Sequence, residues 1–408
     1  MQSVLDKGVR ALGGFRDYSL LPVRAKVKHA RDRFGLPRKD PGCQRVIDAG
    51  VAWLCRAQDF SKSADGGVSH SYSLLTGWSS SYPETTGYIV PTLLRYSELR
   101  SNGEVRRRAI RMLDWLVSIQ LEDGSFQGGQ VDSDPVPTTF NTGQVLLGLA
   151  AGAQLLGDAY RQPMRRAADW LVRTQDSDGC WRKYPSPFAA SGERIYDTHV
   201  AFGLLEAARV EPAAPYLEAA LANVRWALRF QRGNGWLDKC CLSDPSQPLT
   251  HTLGYALRGV LESYRSTADP ELLQAARRTA DGLLSVLGRN GFLPGQLDCQ
   301  WKATVDWACL TGTVQIAHCW LLLYEATGDL RYRNAAFVAN RYVRRTIAMN
   351  GPKEIVGAVR GSFPIYGGYL PYRYPNWACK FMIDSNLLEM SMRNQSETFH
   401  GERTQTSA

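Results

Sequence analysis

The chain has 408 residues, 44% of them hydrophobic and 21% charged, with a formal net charge of +9. That length suits one large domain or two small ones, and no run is apolar enough to span a membrane. Nine cysteines, scattered and odd in number, argue against a disulfide scaffold, and no CxxC or HxxxH pair suggests structural zinc, so no metal and no cofactor are expected.

Residues 1–42 form a basic leader. Residues 1–40 hold ten Lys or Arg against four Asp, a local charge of +6. The segment reads as a solvated leader packed across the body of the protein, or as a weak contact with an anionic membrane surface. Its basic residues are not interleaved with stacking aromatics, which argues against nucleic acid. The start, MQSVLDKGVRALGG, lacks the long apolar core of a signal peptide. With the unpaired cysteines, this gives a cytoplasmic expectation, with the inner membrane as the one peripheral site.

From residue 43 a unit recurs. An apolar helix carrying Trp and Gln ends at an acidic glycine turn, a long loop follows, and a second apolar helix begins. The turn glycines are Gly66, Gly124, Gly179, Gly235, Gly291 and Gly351, spaced by 58, 55, 56, 56 and 60 residues. Trp53 and Gln58, Trp115 and Gln120, Trp170 and Gln175, and Trp226 and Gln231 precede the first four. The fifth turn has Leu283 in the Trp place. The second helices are expected near 85–99, 142–157, 198–209, 252–265, 312–326 and 376–392. Six such hairpins over residues 43–394 predict an all-α protein, an (α/α)6 toroid with the second helices as its inner ring. An open solenoid is the competing architecture. The tail, 395–408, is polar and reads as disordered. Nothing in the pattern bears on oligomeric state.

The long loops join outer to inner helices, while the return connections, such as Ser101–Gly103 and Gly157–Asp158, are short. One face is therefore elaborated, and function is expected there. The inner helices open with related words: Glu84-Thr85-Thr86, Asn141-Thr142-Gly143-Gln144, Asp197-Thr198-His199, Thr250-His251-Thr252, Leu310-Thr311-Gly312 and Pro375-Asn376-Trp377. N-capping explains the threonines, and Asp197 singly. It does not explain why Glu84, Asp197 and His251 differ so much, or why Tyr82, Tyr196 and Trp307 stand beside them.

In a closed ring, residues at equal height converge on one rim. Glu84, Asp197, His251 and Tyr82 are the catalytic candidates, with the two carboxylates as acid and base. Asn141, Gln144, Tyr196, Trp301, Trp307, Gln315, Tyr369, Asn376 and Lys380 are the substrate-binding candidates. Aromatic rings, amides and carboxylates suit a saccharide, since flat rings cover sugar faces and polar groups bind hydroxyls. The six inner-helix N-termini favour an anionic one. The expectation is an enzyme acting on an acidic or acetamido sugar. Hydrolase, lyase and epimerase stay open, and a non-catalytic scaffold is the alternative outside enzymology.

The run W-L-x-x-x-Q-x-x-D-G-x-W, complete at Trp170–Trp181 and partial at Trp115–Phe126, resembles the repeat of the terpenoid cyclase and prenyltransferase toroids. The resemblance implies the toroid fold, and an isoprenoid-binding protein as a further alternative. The cyclase DxDD motif is not matched, because Asp132-Ser133-Asp134 runs into Pro135. No DDxxD motif is present for a magnesium diphosphate. Other six-hairpin toroids include unsaturated-glucuronyl hydrolases, polysaccharide lyases and sugar epimerases. The words SYPETTGY, FNTGQVLLGL, LTGTVQIA and YPNWACKFMID resemble bacterial toroid proteins associated with exopolysaccharide gene clusters. That likeness implies a role in polysaccharide biosynthesis.

Overall fold

The computed structural model describes residues 18–189 and 192–405, with side chains through 394. A leader helix, α1 (Val23–Arg33), precedes twelve helices that alternate between two layers. The outer layer is α2 (Cys43–Asp59), α4 (Gly103–Ser118), α6 (Arg161–Thr174), α8 (Tyr216–Leu228), α10 (Pro270–Ser285) and α12 (Leu330–Arg344). The inner layer is α3 (Pro83–Leu99), α5 (Thr139–Leu156), α7 (Thr198–Val210), α9 (Thr250–Thr267), α11 (Leu310–Thr327) and α13 (Asn376–Gln405). The inner starts agree with the sequence expectation to within three residues. α13 runs through Gln405, so the helix continues into the tail expected to be disordered.

The two layers differ as their sequences require. Outer helices bury one stripe: in α4 it is Val105, Ala109, Met112, Leu113 and Leu116. Inner helices are buried almost all round, as in α11 from Leu310 to Leu323. Each inner helix packs on the next, and α13 packs on α3, so the ring is closed and the open solenoid is excluded. The tight pairs are inner helix, short turn, outer helix, because a short connection forces antiparallel neighbours. The sixth pair is α13 with α2, formed from opposite ends of the chain.

The repeat motif is the joinery of the outer layer. Gln120 Nε2 donates to the turn carbonyl of Gly124 (2.9 Å) and to Pro163 O at the start of the next outer helix (3.0 Å). Gln175 repeats the arrangement with Gly179 O (3.0 Å) and Ala219 O (2.9 Å). Asp123 and Asp178 close their turns by accepting the amides of Ser125 and Cys180. Gly179 stands at φ 94°, and a Cβ there would lie 2.5 Å from Ala222 O, so only glycine fits.

Inner helices approach closely through small residues. A Cβ at Gly203 on α7 would lie 2.4 Å from Gly143 O on α5. Gly203→Ala is expected to lower stability by roughly 1–3 kcal/mol, because backbone would have to move, and a thermal melt checks it.

The long loops carry five short strands: β1 (Ser71–Ser73), β2 (Gly77–Trp78), β3 (Ala308–Cys309), β4 (Ser362–Phe363) and β5 (Arg373–Pro375). β1 lies between β2 and β5, which joins the first loop to the sixth, and β3 pairs with β4. The threonines expected as N-caps sit one turn deeper. Thr86 and Thr142 donate back to the carbonyls of Tyr82 and Thr138 and accept the amides of Val68 and Phe126, which pins each loop to its helix. The described part of the leader packs on the same face. Arg24 donates to Leu74 O and Tyr72 Oη, His29 Nδ1 bonds Tyr372 Oη, and buried Asp32 pairs with Arg360.

Candidate functional site

The loop-side end of the ring holds a cavity of about 330 Å³. Inner-helix starts supply Tyr82, Glu84, Phe140, Tyr196, His251 and Trp377, and Tyr255 lies one turn below His251. The loops supply His70, Gln130, Phe188, Leu242, Tyr369 and Arg373. The floor is aromatic. Tyr255 and Tyr88 join hydroxyls at 3.3 Å, and Phe381 packs on both rings. Below this floor a second cavity, about 450 Å³, opens from the plain face.

Glu84 is the one carboxylate among the described residues lining the upper cavity. It stands in the first turn of α3, where the helix N-terminus favours its charged form. Burial outweighs that, and the hydroxyl of Tyr82, donating to Oε2 at 2.7 Å, only partly offsets it. The carboxyl is held up to about 7. Burial acts oppositely on the imidazoles, pushing both His251 and His70 down to about 4. His251 Nδ1 lies 2.7 Å from Gln315 Oε1, an acceptor, so Nδ1 carries the proton and Nε2 has a free lone pair. The site thus sets a carboxyl poised to exchange its proton near neutral pH beside neutral imidazoles.

The remaining walls are suited to a flat, hydroxylated ligand. Trp377 Nε1 donates to Tyr369 Oη (2.9 Å), which fixes the two rings together. The hydroxyl of Tyr196 is buried without a partner. Arg373, on β5, forms no ion pair among the described residues and is the cation of the lining. Among the described residues no three His, Cys, Asp or Glu side chains are grouped as metal ligands.

Of the sequence candidates, Tyr82, Glu84, Tyr196, His251 and Tyr369 come together here. Gln315 stands behind His251 as its orienting partner. Asn141 is buried, donating to Gln127 O, and Asn376 donates to Ser69 O; both brace loops.

The others lie elsewhere. Asp197 occupies the N-cap position of α7 but makes no cap bond and does not line the cavity. It is buried with Arg194, Nη2 to Oδ2 3.2 Å, and burial outweighs that cation to hold the carboxyl near 6. Gln144 bonds His199. Trp301 packs on Trp236 and Gly282 in the outer layer, and Trp307 fills the space beside Gly295, Gly367 and Gly368. Lys380 belongs to the lower cavity, paired with Asp384 at 2.8 Å. Equal height along a helix does not settle the direction of a side chain: Asp197, in a short 3-10 turn ahead of α7, lies against Arg194, and Gln144 is taken up by His199.

Sequence reasoning missed His70, Phe140, Tyr255, Trp377 and Arg373 as lining residues. Tyr255 was legible as the i+4 neighbour of His251, and Trp377 as part of the sixth helix-opening word. His70 and Arg373 are placed by the β1–β5 pairing, which brings sequence-distant loops together and has no periodic signature.

No protein-family model matches the sequence, and neither does any curated protein. Solved structures do match in fold. An unsaturated glucuronyl hydrolase specific for heparin superposes with a TM-score of 0.69 at 16% identity, over 86% of this chain and 98% of that one. A D-mannose isomerase gives 0.68 at 11%, over 86% and 97%. A cellobiose 2-epimerase from Bacillus thermoamylovorans gives 0.67 at 9%, over 85% and 97%. At these identities the likeness establishes the α/α toroid fold of this chain.

Proposed function

We propose that the protein is a carbohydrate-active enzyme that moves a proton at a sugar carbon, as an epimerase, isomerase or lyase does. The observation that carries this reading is one carboxyl held up to about 7, Glu84, sharing an aromatic cavity with the neutral imidazoles of His251 and His70. Two-carboxylate glycoside hydrolysis needs a second acid across the site, and Asp197 is not there. His251 Nε2, oriented by Gln315, removes the proton. Glu84, held by Tyr82, supplies one to the oxygen or the opposite carbon face. Trp377 and Tyr369 cover the sugar, Tyr196 takes a hydroxyl, and Arg373 favours a substrate carboxylate. The three neighbours named above act on sugars by name, which supports the substrate class. A place in cell-surface polysaccharide biosynthesis, in the cytoplasm, belongs to the same reading.

Incubation with uronate oligosaccharides and free aldoses in deuterated water tests it. An epimerase or isomerase incorporates solvent deuterium at carbon without new reducing ends, and a lyase yields an ultraviolet-absorbing unsaturated product. New reducing ends with neither signal indicate hydrolysis and overturn the proton-transfer reading.

The lining itself favours a second reading. Phe140, Phe188, Leu242, Tyr255, Tyr369 and Trp377 make most of the upper cavity apolar, and a protonated acid in aromatic walls also suits an isoprenoid. A thermal shift with prenyl diphosphates, and none with saccharides, favours this alternative.

A further inference from the structure

α1 is held to the body by one face and turns the opposite face outward. Ala25 and Asp32 are buried against the loops. Val23, Val27 and Phe34, with Leu20 just ahead of the helix, are 76%, 45%, 91% and 77% exposed. At 100° per residue Val23, Val27 and the C-cap Phe34 fall in one stripe about 40° wide, with Leu20 exposed on the turn before Pro22. Single exposed apolar residues are ordinary, but an aligned set on one short segment marks a surface that meets something apolar. Lys26 and Arg33 flank the stripe on one side and Arg31 on the other.

A cavity of about 270 Å³ opens beside the same helix. Lys28, Lys39, Arg45, Arg345 and Arg360 line it, and no carboxylate does. Arg360 is held by Asp32, and Arg345 donates to the carbonyls of Pro37 and Leu36. Lys28, Lys39 and Arg45 form no ion pair among the described residues. Burial, reinforced by Arg360, pushes the Lys28 ammonium down to about 8, the mark of a cation lacking sufficient counter-charge. Like charges around one concavity repel unless an anion sits among them. Pro37 on its rim is three residues past Phe34, so the stripe and the cavity belong to one continuous segment.

We infer that α1 docks the protein on an anionic lipid bilayer, its apolar stripe entering the headgroup boundary while the basic cavity takes a lipid phosphate. The arrangement is that of an interfacial helix, an apolar face between basic flanks, with a headgroup site added. No helix among the described residues is long and apolar enough to cross a membrane. The inference deepens the expected contact of the basic leader with a membrane. It does not depend on the chemistry in the lumen, because it is read without substrate.

Flotation of the full chain with vesicles tests it. The wild type is expected to float with phosphatidylcholine vesicles containing phosphatidylglycerol, to stay behind with phosphatidylcholine alone, and to be released by high salt. Val23→Asp with Phe34→Asp, and separately Lys39→Glu with Arg45→Glu, should each lower partitioning at least about tenfold. All four side chains are exposed, and an unchanged thermal melt verifies the fold. Absence of flotation with anionic vesicles, or flotation that survives both pairs of substitutions, overturns the inference. So does titration of inorganic phosphate into the cavity with no vesicle binding, which would assign it to a soluble anion.

Discussion

Glu84→Gln is expected to lower turnover by about 10²–10⁴-fold while making the protein more stable at pH 8. Gln still accepts the Tyr82 hydroxyl bond, so the geometry survives and only the transferable proton is lost. The stability gain follows from linkage. The carboxyl titrates near 4.5 unfolded and near 7 folded. Between those values the folded chain keeps a proton that the unfolded chain has released, so stability falls as pH rises through the window. Above about 7 the cost of the buried charge is complete, at roughly 3 kcal/mol for a displacement of this size. The variant should therefore match the wild type at pH 4 and exceed it at pH 8, with urea denaturation as the measurement. Asp197→Asn serves as the contrast. It should keep turnover within about threefold. Because burial outweighs Arg194 and holds the Asp197 carboxyl near 6, its stability should also rise at pH 8, with the gain shrinking toward pH 4, so turnover alone separates the two variants.

Arg344→Met is expected to cost about 3–5 kcal/mol, the largest stability loss from any one side chain at the seam of the ring. Arg344 is 3% exposed and holds three segments together. Its Nε and Nη2 each reach Asp40 at 2.9 Å, and Nη1 reaches Asn386 Oδ1 at 2.8 Å and Glu389 Oε2 at 3.0 Å. The leader, the last outer helix and the last inner helix meet there, where the two ends of the chain complete the sixth helix pair. Removing the guanidinium leaves Glu389, fully buried, with Asn340, the Cys43 thiol and the half-exposed Arg393 but no buried cation. Urea denaturation measures the loss, and a value under about 1 kcal/mol would show that the clasp is not what closes the ring.

The fold was legible because its cause is local and repeated. Gln58, Gln120 and Gln175 recur where they do because each must reach the carbonyl of its own turn glycine. All six glycines stand at positive φ, and at Gly124, Gly179, Gly235 and Gly291 the backbone of the following outer helix also leaves no room for a Cβ. Ring closure was not legible, since the α13–α3 and α13–α2 contacts join residues some 300 positions apart with no pattern of their own. The site was legible by half. Register brings Glu84, His251, Tyr82 and Tyr196 to the wall of one cavity, as the helix starts imply, without bearing on their roles. It could not show that Asp197 turns toward Arg194, or that Lys380, one turn inside α13, falls beneath the Tyr88–Tyr255 floor. Loop residues obey no helical period, which is why His70 and Arg373 were not found.

The same floor bears on mechanism. It separates the upper cavity from the lower one, so on the proposed function a substrate would enter from the loop face and rest at the height of Glu84 and His251. Sequence-distant elements frame that side of the ring: β5 from the sixth loop, β1 from the first, and the leader helix behind both.

A crystal structure of the Glu84→Gln variant soaked with a uronate disaccharide tests the account most directly. One sugar ring is expected to lie against Trp377 and Tyr369, with a carbon facing His251 Nε2 and an oxygen at hydrogen-bond distance from residue 84. A saccharide bound only in the lower cavity beside Lys380, or on the outer surface with the upper cavity untouched, would contradict it.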